Sequence, residues 1–365
     1  MNMTAPLTLY AAPLSLYSGK ARAYLHWSGI PFEEVLSTPQ VYQAVIVPHV
    51  GVPIIPVIRD ADGTVVQDTT EIIDYLEPRS PAPSVYPATP RQRLAALLME
   101  LFGDEWLVIP AMHYSWAYNE DWVYGEFGAV AAPDAPADQR KAIGQEMGAR
   151  FKGFLPALGI TPETVPAIEA SYEALLGELD AHFAEHPYLL GTRPSIGDFG
   201  LIGPLYAHLY RDPASGALMQ RLAPNVAAWV ARMHEPPAPG EGDFLPDDAI
   251  PDTLLPILRR QMREQSPVLA DTAARFADWA AAHPDADIPR SIGFHAFTLE
   301  NVTGSRAILP YSLWMLQRVL DYAHSLDGAA RADVDALLGA VNGAALPDIA
   351  VRPRLARRTY RLVRA

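Results

Sequence analysis

The sequence predicts a small α/β domain at the N-terminus, an all-helical domain after it, and a further helical extension. Strand-like and helix-like stretches alternate over the first 80 residues. Beyond residue 90, apolar residues recur at helical spacing. Two proline-rich stretches, residues 77–90 and 235–242, separate these regions, because proline does not continue a helix. The predicted segments are 1–80, 90–235 and 243–365.

The first segment predicts a strand–helix–strand unit followed by a β-hairpin and a second helix. The hairpin is indicated by Asp-Ala-Asp-Gly at residues 60–63, a strong turn signal between two short apolar runs. Such an order makes a small mixed sheet with helices packed on it. The predicted elements are strand 7–10, helix 18–27, strand 32–36, strand 54–58, strand 64–66 and helix 69–76.

The second and third segments are predicted to be helical throughout. Their apolar residues recur near every 3.6 positions and show no strand alternation, and Pro, Gly or Asp marks the ends. The predicted helices are 91–118, 166–186, 196–210, 226–233, 254–282, 308–325 and 332–340.

Composition excludes several functional classes. The chain has 365 residues, half of them hydrophobic, which suits two domains with an extension. Its 42 acidic and 28 basic residues give a net charge of −14, so we expect neither nucleic acid nor a membrane surface as partner. With no cysteine, the chain has no disulfide, thiolate metal site or thiol nucleophile of its own. No secretory signal or membrane-spanning run is visible, which predicts a cytoplasmic protein.

The sharpest motif follows the first predicted strand, where Ser15-Leu-Tyr-Ser18 opens a helix. Thioredoxin-like proteins carry a Cys-x-x-Cys pair at this turn. Here the chain resembles the serine-type members of the glutathione transferase superfamily, which have a hydroxyl at the first position. The resemblance implies that Ser15 is catalytic. Tyr10, Tyr17 and Ser18 are alternative hydroxyls, and helix capping is the structural alternative.

The implied chemistry is the activation of a thiol that the protein itself lacks. Glutathione must ionise to act as a nucleophile, and a free thiol has a pKa near ~8.5. A hydroxyl donor beside a helix N-terminus favours the anion. Lowering the pKa by about two units needs roughly 2.7 kcal/mol, which two such effects can supply.

Two further motifs support the resemblance. Ile55-Pro56 lies before the hairpin, where the superfamily has a cis-proline preceded by a residue whose backbone pairs with the cysteinyl unit of glutathione. Gln67, Asp68 and Thr69 resemble the acidic–hydroxyl pair that binds the γ-glutamyl group, although the family usually has Glu-Ser. The resemblance implies that Thr69 and the helix N-terminus take the carboxylate, and that Asp68 or Gln67 takes the amine. A capping box is the structural alternative.

The helical body carries a fourth resemblance and the expected second-substrate pocket. Ser195 and Asp198 match the Ser-x-x-Asp turn that opens a buried helix in the second domain of glutathione transferases, a structural role. The resemblance spans about residues 6–235. Aromatic and polar side chains suit an apolar pocket with a few polar groups, and core packing is the alternative. The candidates are Tyr17, Trp106, His113 and Tyr114.

Two features outside the resemblance have simpler interpretations. His182 and His186 are four residues apart on a helix, but a third ligand is lacking, so we expect a solvent-facing pair and no metal. The six arginines of residues 352–365 are expected to dock on the protein's own acidic surface.

The sequence therefore supports two functional hypotheses. The first is a glutathione transferase-like enzyme acting on a small apolar electrophile by conjugation, isomerisation, dehalogenation or ether cleavage. The second is a non-catalytic binding or scaffolding module that kept the fold and lost the chemistry. By analogy with the superfamily, we expect a homodimer.

Overall fold

The computed structural model describes residues 6–236 and 240–365, so residues 237–239 of the second proline-rich stretch lie outside the described residues. The chain forms two compact units. The first comprises Met1–Val85, Ala111–Phe154 and Ile202–Glu241, and the second comprises Tyr86–Pro110, Leu155–Leu201 and Gly242–Ala365. The division into segments 1–80, 90–235 and 243–365 stays a prediction.

The secondary structure follows the predicted order over the first 80 residues. The strands are β1 (Leu7–Ala11), β2 (Phe32–Leu36), β3 (Val57–Arg59), β4 (Val65–Gln67), β5 (Phe294–Leu299), β6 (Val302–Ala307), β7 (Leu355–Arg358) and β8 (Arg361–Arg364). The helices are α1 (Leu16–Ser28), α2 (Pro39–Val41), α3 (Val47–Val50), α4 (Thr69–Leu76), α5 (Pro90–Glu105), α6 (Val108–Tyr118), α7 (Glu120–Ala131), α8 (Ala137–Lys152), α9 (Val165–Glu185), α10 (Ile196–Ala207), α11 (Pro213–Leu222), α12 (Pro224–His234), α13 (Leu255–Glu264), α14 (Ser266–Ala282), α15 (Tyr311–Ser325) and α16 (Gly328–Ala340).

The first unit is built on a four-stranded mixed sheet of order β2-β1-β3-β4. β1 runs parallel to β2 and antiparallel to β3, and β4 returns antiparallel beside β3. The turn between β3 and β4 contains Gly63 at φ +89°, a conformation that glycine adopts without steric cost. This is the thioredoxin-like α/β arrangement that the sequence predicts.

Helices α1 and α4 belong to the same unit, and both contribute buried residues to it. α1 ends at Gly29, which has a left-handed backbone with φ 68°. In α4, Ile72, Ile73 and Leu76 are buried, at the spacing predicted from sequence. An ion pair between Arg22 on α1 and Glu34 on β2, with an N···O distance of 2.6 Å, ties the helix to the sheet.

The second unit packs helices of the C-terminal extension on α5. The side-chain amide of Gln261 donates to the Leu98 carbonyl at 2.7 Å, and that of Gln265 donates to the Leu101 carbonyl at 3.1 Å. Both glutamines are buried, and the Gln261 amide also donates to Gln265 Oε1 at 3.0 Å. The extension and α5 therefore share one core.

The Ser195–Asp198 motif has the structural role expected of it. The Ser195 hydroxyl and backbone N–H both donate to Asp198 Oδ2, at 2.9 and 2.8 Å. The other oxygen of Asp198 accepts from the Leu189 N–H at 3.0 Å. The buried carboxylate thus fixes the turn that precedes α10.

Two predicted long helices are each two helices, for one physical reason. Prolines at 110 and 267 lie in the first turns of α6 and α14, where the missing N–H costs nothing. Within a continuous helix each would remove a backbone hydrogen bond, so the predicted helices 91–118 and 254–282 break ahead of them.

The expectation of helix throughout the last segment is wrong in two places, while the fold class is confirmed. β5 pairs antiparallel with β6, and β7 pairs antiparallel with β8. In β5, His295, Phe297 and Leu299 point inward and alternate with exposed neighbours. The alternation is hidden in the sequence because exposed Phe294 is as apolar as the buried residues.

No helix of the described residues is both long and apolar enough to cross a bilayer.

Candidate functional site

Strand register brings three of the predicted motifs to one edge of the sheet in the first unit. Tyr10 on β1 pairs with Val57 on β3, and Val57 pairs with Gln67 on β4. The end of β1, the start of β3 and the end of β4 therefore lie side by side. Ser15, Ile55 and Thr69 each lie within a few residues of these strand ends.

Ser15 is the N-cap of α1. Its backbone is extended, and its side-chain oxygen accepts from the Ser18 N–H at 3.2 Å. The capping alternative is therefore present, yet it uses only a lone pair of the oxygen. Among the described residues, the Ser15 O–H has no acceptor. The half-buried hydroxyl thus lies at the positive end of a helix, and its proton is available to donate a hydrogen bond to a ligand.

Burial distinguishes the alternative hydroxyls. Ser18 is fully buried, and its oxygen accepts from the Ala12 N–H at 3.3 Å, so it closes the turn between β1 and α1. Tyr10 is buried on β1. Tyr17 is half-buried in the first turn of α1. Of the four hydroxyls considered, only those of Ser15 and Tyr17 belong to residues that are partly exposed to solvent, so these two remain candidates for activating the thiol.

The Ile55–Pro56 peptide bond is cis, as predicted. Pro56 is buried directly before β3, whereas Ile55 is half-buried. Within residues 6–236 and 240–365, the Ile55 N–H and C=O form no hydrogen bond. These backbone groups can pair with an extended peptide lying beside the sheet edge.

The turn into α4 carries the other predicted ligands. Asp68 is the N-cap, and its carboxylate accepts from the Thr70 N–H at 3.0 Å. It has φ 87°, a region that side-chain-bearing residues rarely occupy and that occurs more often at functional sites. The Thr69 hydroxyl has no hydrogen-bond partner among the described residues. Gln67 is largely buried at the end of β4.

Sequence reasoning missed Lys20, the fully buried cation of α1. Its ammonium donates to the Thr70 hydroxyl at 3.2 Å, so a positive charge lies between the N-terminal turns of α1 and α4. The signal was the spacing, since Lys20 lies four residues before buried Tyr24 and therefore on the same helix face. A buried ammonium adds to the field of both helix N-termini and favours a bound anion.

The predicted pocket residues fall in both units. His113 and Tyr114 are buried on α6 in the first unit, and the His113 ring packs edge-on against Tyr114 and Tyr118. Trp106 is buried in the second unit, where its indole N–H donates to Glu264 at 3.3 Å. The pocket role of these residues stays a prediction.

The expectation of a solvent-facing histidine pair is wrong for His182. This residue is fully buried in the second unit, and its Nδ1 lies 2.9 Å from the Thr253 hydroxyl. Burial, and to a lesser extent the neighbouring His186, lowers its pKa to about 4. The described residues contain no cluster of three side chains able to hold a metal ion.

Comparison with known proteins identifies two domains in the chain. Residues 9–84 match the N-terminal domain of glutathione S-transferases, and residues 162–232 match their C-terminal domain. Both glutathione S-transferase domains therefore occur in the chain, in the expected order. No curated protein sequence matches the chain.

Similar solved structures include a β-etherase and two glutathione transferases. The β-etherase LigF from Sphingobium sp. strain SYK-6 is 22% identical, with a TM-score of 0.46 over 64% of this chain and 96% of its own. GSTFuA3 from Phanerochaete chrysosporium is 17% identical, with a TM-score of 0.45 over 64% and 97%. A glutathione S-transferase from Methylobacterium radiotolerans, in complex with glutathione sulfonate, is 21% identical, with a TM-score of 0.39 over 67% and 100%.

Proposed function

We propose that the protein is a glutathione transferase that binds glutathione at the sheet edge of the first unit and activates its thiol for attack on a small apolar electrophile. The observation that carries the proposal is the Ser15 hydroxyl. It has a free O–H at the N-terminus of α1, on the edge that also presents Ile55 and Thr69.

Ser15 acts by stabilising the thiolate. The S–H bond of glutathione breaks, its proton goes to water, and the sulfur anion accepts a hydrogen bond from the Ser15 O–H. The N-terminus of α1 and buried Lys20 add positive potential on the same side. The thiolate then forms a C–S bond to the electrophile while the leaving group departs with its electron pair.

The peptide of glutathione is held by backbone and polar groups of the sheet edge. The cysteinyl unit pairs with the free N–H and C=O of Ile55, next to cis-Pro56. The γ-glutamyl carboxylate accepts from Thr69 and from the N-terminus of α4. Its amine lies against Asp68 or Gln67, as the resemblance implies.

The electrophile is proposed to contact aromatic side chains. The proposed reaction is conjugation; isomerisation, dehalogenation and ether cleavage are alternative reactions that the same thiolate could carry out. Tyr17, His113 and Tyr114 in the first unit are the proposed contacts, and the pocket role of Trp106 stays a prediction from the sequence. We propose a homodimer, as the superfamily resemblance implies, and a cytoplasmic location, as expected from the sequence.

Calorimetric titration with glutathione, followed by ultraviolet titration of the bound thiolate, tests the proposal. Ser15→Ala is expected to raise the pKa of the bound thiol by about one unit or more and to slow conjugation by about tenfold or more. Ser15→Thr retains the hydroxyl and should restore most of the activity. Ser28→Ala is the matched control, because the Ser28 hydroxyl donates to the Leu25 carbonyl at 3.1 Å at the opposite end of α1.

The outcomes separate the two functional hypotheses. A folded wild-type chain that binds no glutathione at millimolar concentration indicates a non-catalytic module. Binding with an unchanged thiol pKa in Ser15→Ala transfers the role to Tyr17. A Ser28→Ala variant as impaired as Ser15→Ala shows that a weakened α1 helix, rather than lost chemistry, causes the defect.

A further inference from the structure

The second unit contains two buried arginines in opposite situations. Arg260 and Arg306 are 4% and 5% exposed. Arg260 is fully engaged, with donor–acceptor distances of 2.8 and 2.9 Å to Glu178, 2.9 Å to Glu264 and 3.2 Å to the Ser171 hydroxyl. These partners are what a buried guanidinium requires, because an unpaired charge is costly to bury.

Arg306 has no such partners. Its guanidinium forms no hydrogen bond or ion pair with any of residues 6–236 and 240–365, and its Nε is buried without an acceptor. The guanidinium carbon lies 4.9 Å from the centre of the Trp106 ring, a cation–π contact that satisfies no N–H donor. Burial lowers its pKa to about 10, and Glu105 opposes that shift from beyond ion-pair distance.

The guanidinium of Arg306 borders a small cavity whose other donors are occupied. The Thr272 hydroxyl donates to the Val268 carbonyl at 2.7 Å, and the Ser312 hydroxyl donates to the Leu309 carbonyl at 2.9 Å. The lining residues are Glu105, Trp106, Gln265, Val268, Leu269, Thr272, His295, Arg306, Ala307, Leu309 and Ser312. Within this lining, Arg306 is therefore the cation whose donors remain free.

The neighbouring groups leave the positive charge in place. His295 is the cross-strand partner of Arg306, and its Nδ1 lies 2.8 Å from Asp271, which is thereby occupied. Glu105 is half-buried at the cavity mouth, together with Leu309 and Ser312. A ligand entering there meets the guanidinium at the inner end.

We propose that this cavity binds a small carboxylate anion, held in a two-point hydrogen-bonded pair by Arg306. The planar fork of a guanidinium matches a carboxylate better than a spherical halide. The aliphatic side chains of Val268 and Leu269 suit a short alkyl group. The empty space of about 260 Å³ is below the ~300–1,000 Å³ of pockets for drug-sized ligands, so the anion has only a few heavy atoms.

Saturation-transfer NMR with sodium acetate on the full chain, at fixed ionic strength, tests this site. The wild-type chain should transfer saturation to the acetate methyl group. Arg306→Met, similar in length and uncharged, should weaken acetate binding by about tenfold or more, because the charge-assisted pair is lost. Arg358→Gln is the matched control, since this arginine is exposed on β7 and should leave the signal unchanged.

Three results would overturn the inference. The first is no transfer in a folded wild-type chain, and the second is transfer that persists in Arg306→Met. The third is displacement of acetate by glutathione, which places acetate at the site in the first unit. If Arg306→Met does not fold, crystals of the wild-type chain grown in acetate decide, because acetate at the guanidinium supports the site and water alone refutes it.

Discussion

The Ser15 hydroxyl shows how one side chain can serve both fold and chemistry. A hydroxyl accepts through its lone pairs and donates through its proton, so capping α1 leaves the O–H available. The sequence placed Ser15 correctly at the start of the helix, but it could not exclude Tyr10, Tyr17 and Ser18 as the catalytic hydroxyl. Burial, which depends on tertiary packing, removed Ser18 and Tyr10.

Substitution of the two adjacent threonines of α4 should distinguish a contact that stabilises the fold from a contact that binds the ligand. Thr70→Val removes one hydrogen-bond acceptor of buried Lys20 and should lower the free energy of unfolding by about 1–3 kcal/mol. Thr69→Val should leave the stability near that of the wild type and weaken glutathione binding. Urea unfolding and calorimetric titration of both variants measure the difference. Equal effects of the two variants on both quantities would contradict the assignment.

Buried His182 should make the protein lose stability in acid. Its pKa is lowered by burial to about 4 in the folded state, against an ordinary value of 6.5. The unfolded chain therefore binds the proton more readily, so this contribution is fully present above pH 6.5 and is lost as the pH falls towards 4. The loss is about 2–3 kcal/mol.

Unfolding of His182→Gln measured from pH 7.5 to pH 4.5 checks this expectation. The variant should show a shallower decline of stability than the wild type. His283→Gln is the control, because His283 is exposed and its Nδ1 bonds only the Trp279 carbonyl, 2.9 Å away. A decline as steep in His182→Gln as in the wild type would refute the assignment to His182.

At the scale of elements, prediction was accurate where local signals were strong. Helix α4 has the bounds 69–76 that its apolar spacing predicts, and Asp60-Ala-Asp-Gly63 forms the expected hairpin turn. The β5–β6 hairpin was missed because its turn, Glu300-Asn301, lacks glycine. Both residues nevertheless have positive φ, 43° and 65°, as in a two-residue type I′ turn.

This turn gives a prediction at the level of the hairpin. Asn301→Gly should keep or slightly raise stability, because glycine adopts positive φ freely. Asn301→Val should lower the free energy of unfolding by about 1–2 kcal/mol, because a β-branched residue is strained there. Chemical denaturation of both variants measures the difference. Comparable stability of the two would show that the turn is not held in this conformation.

At the scale of the whole molecule, the C-terminal extension is part of a core and not an appendage. Gln261 and Gln265 bond to the backbone of α5, and one unit contains residues 86–110, 155–201 and 242–365. The arginine-rich end docks as expected, with Arg354 paired to Asp321 and Arg364 donating to the Ala286 carbonyl at 2.9 Å.

Removal of residues 243–365 should therefore damage folding. The shortened chain exposes the buried face of α5 and should unfold without a cooperative calorimetric transition, or aggregate. Scanning calorimetry and size-exclusion chromatography compare it with the full chain. A soluble, cooperatively folding 1–242 fragment would show that the extension is dispensable to the core.

The sequence by itself determined the α/β head, its motifs and the family resemblance, because turns, caps and helical spacing are local properties. Tertiary structure decided that Ser18 and Tyr10 are buried while Ser15 is not, that Lys20 and His182 are buried, and that the Nε of buried Arg306 has no hydrogen-bond acceptor. Burial and pairing join residues distant in sequence, as Arg306 and Trp106 are, and no local pattern encodes them.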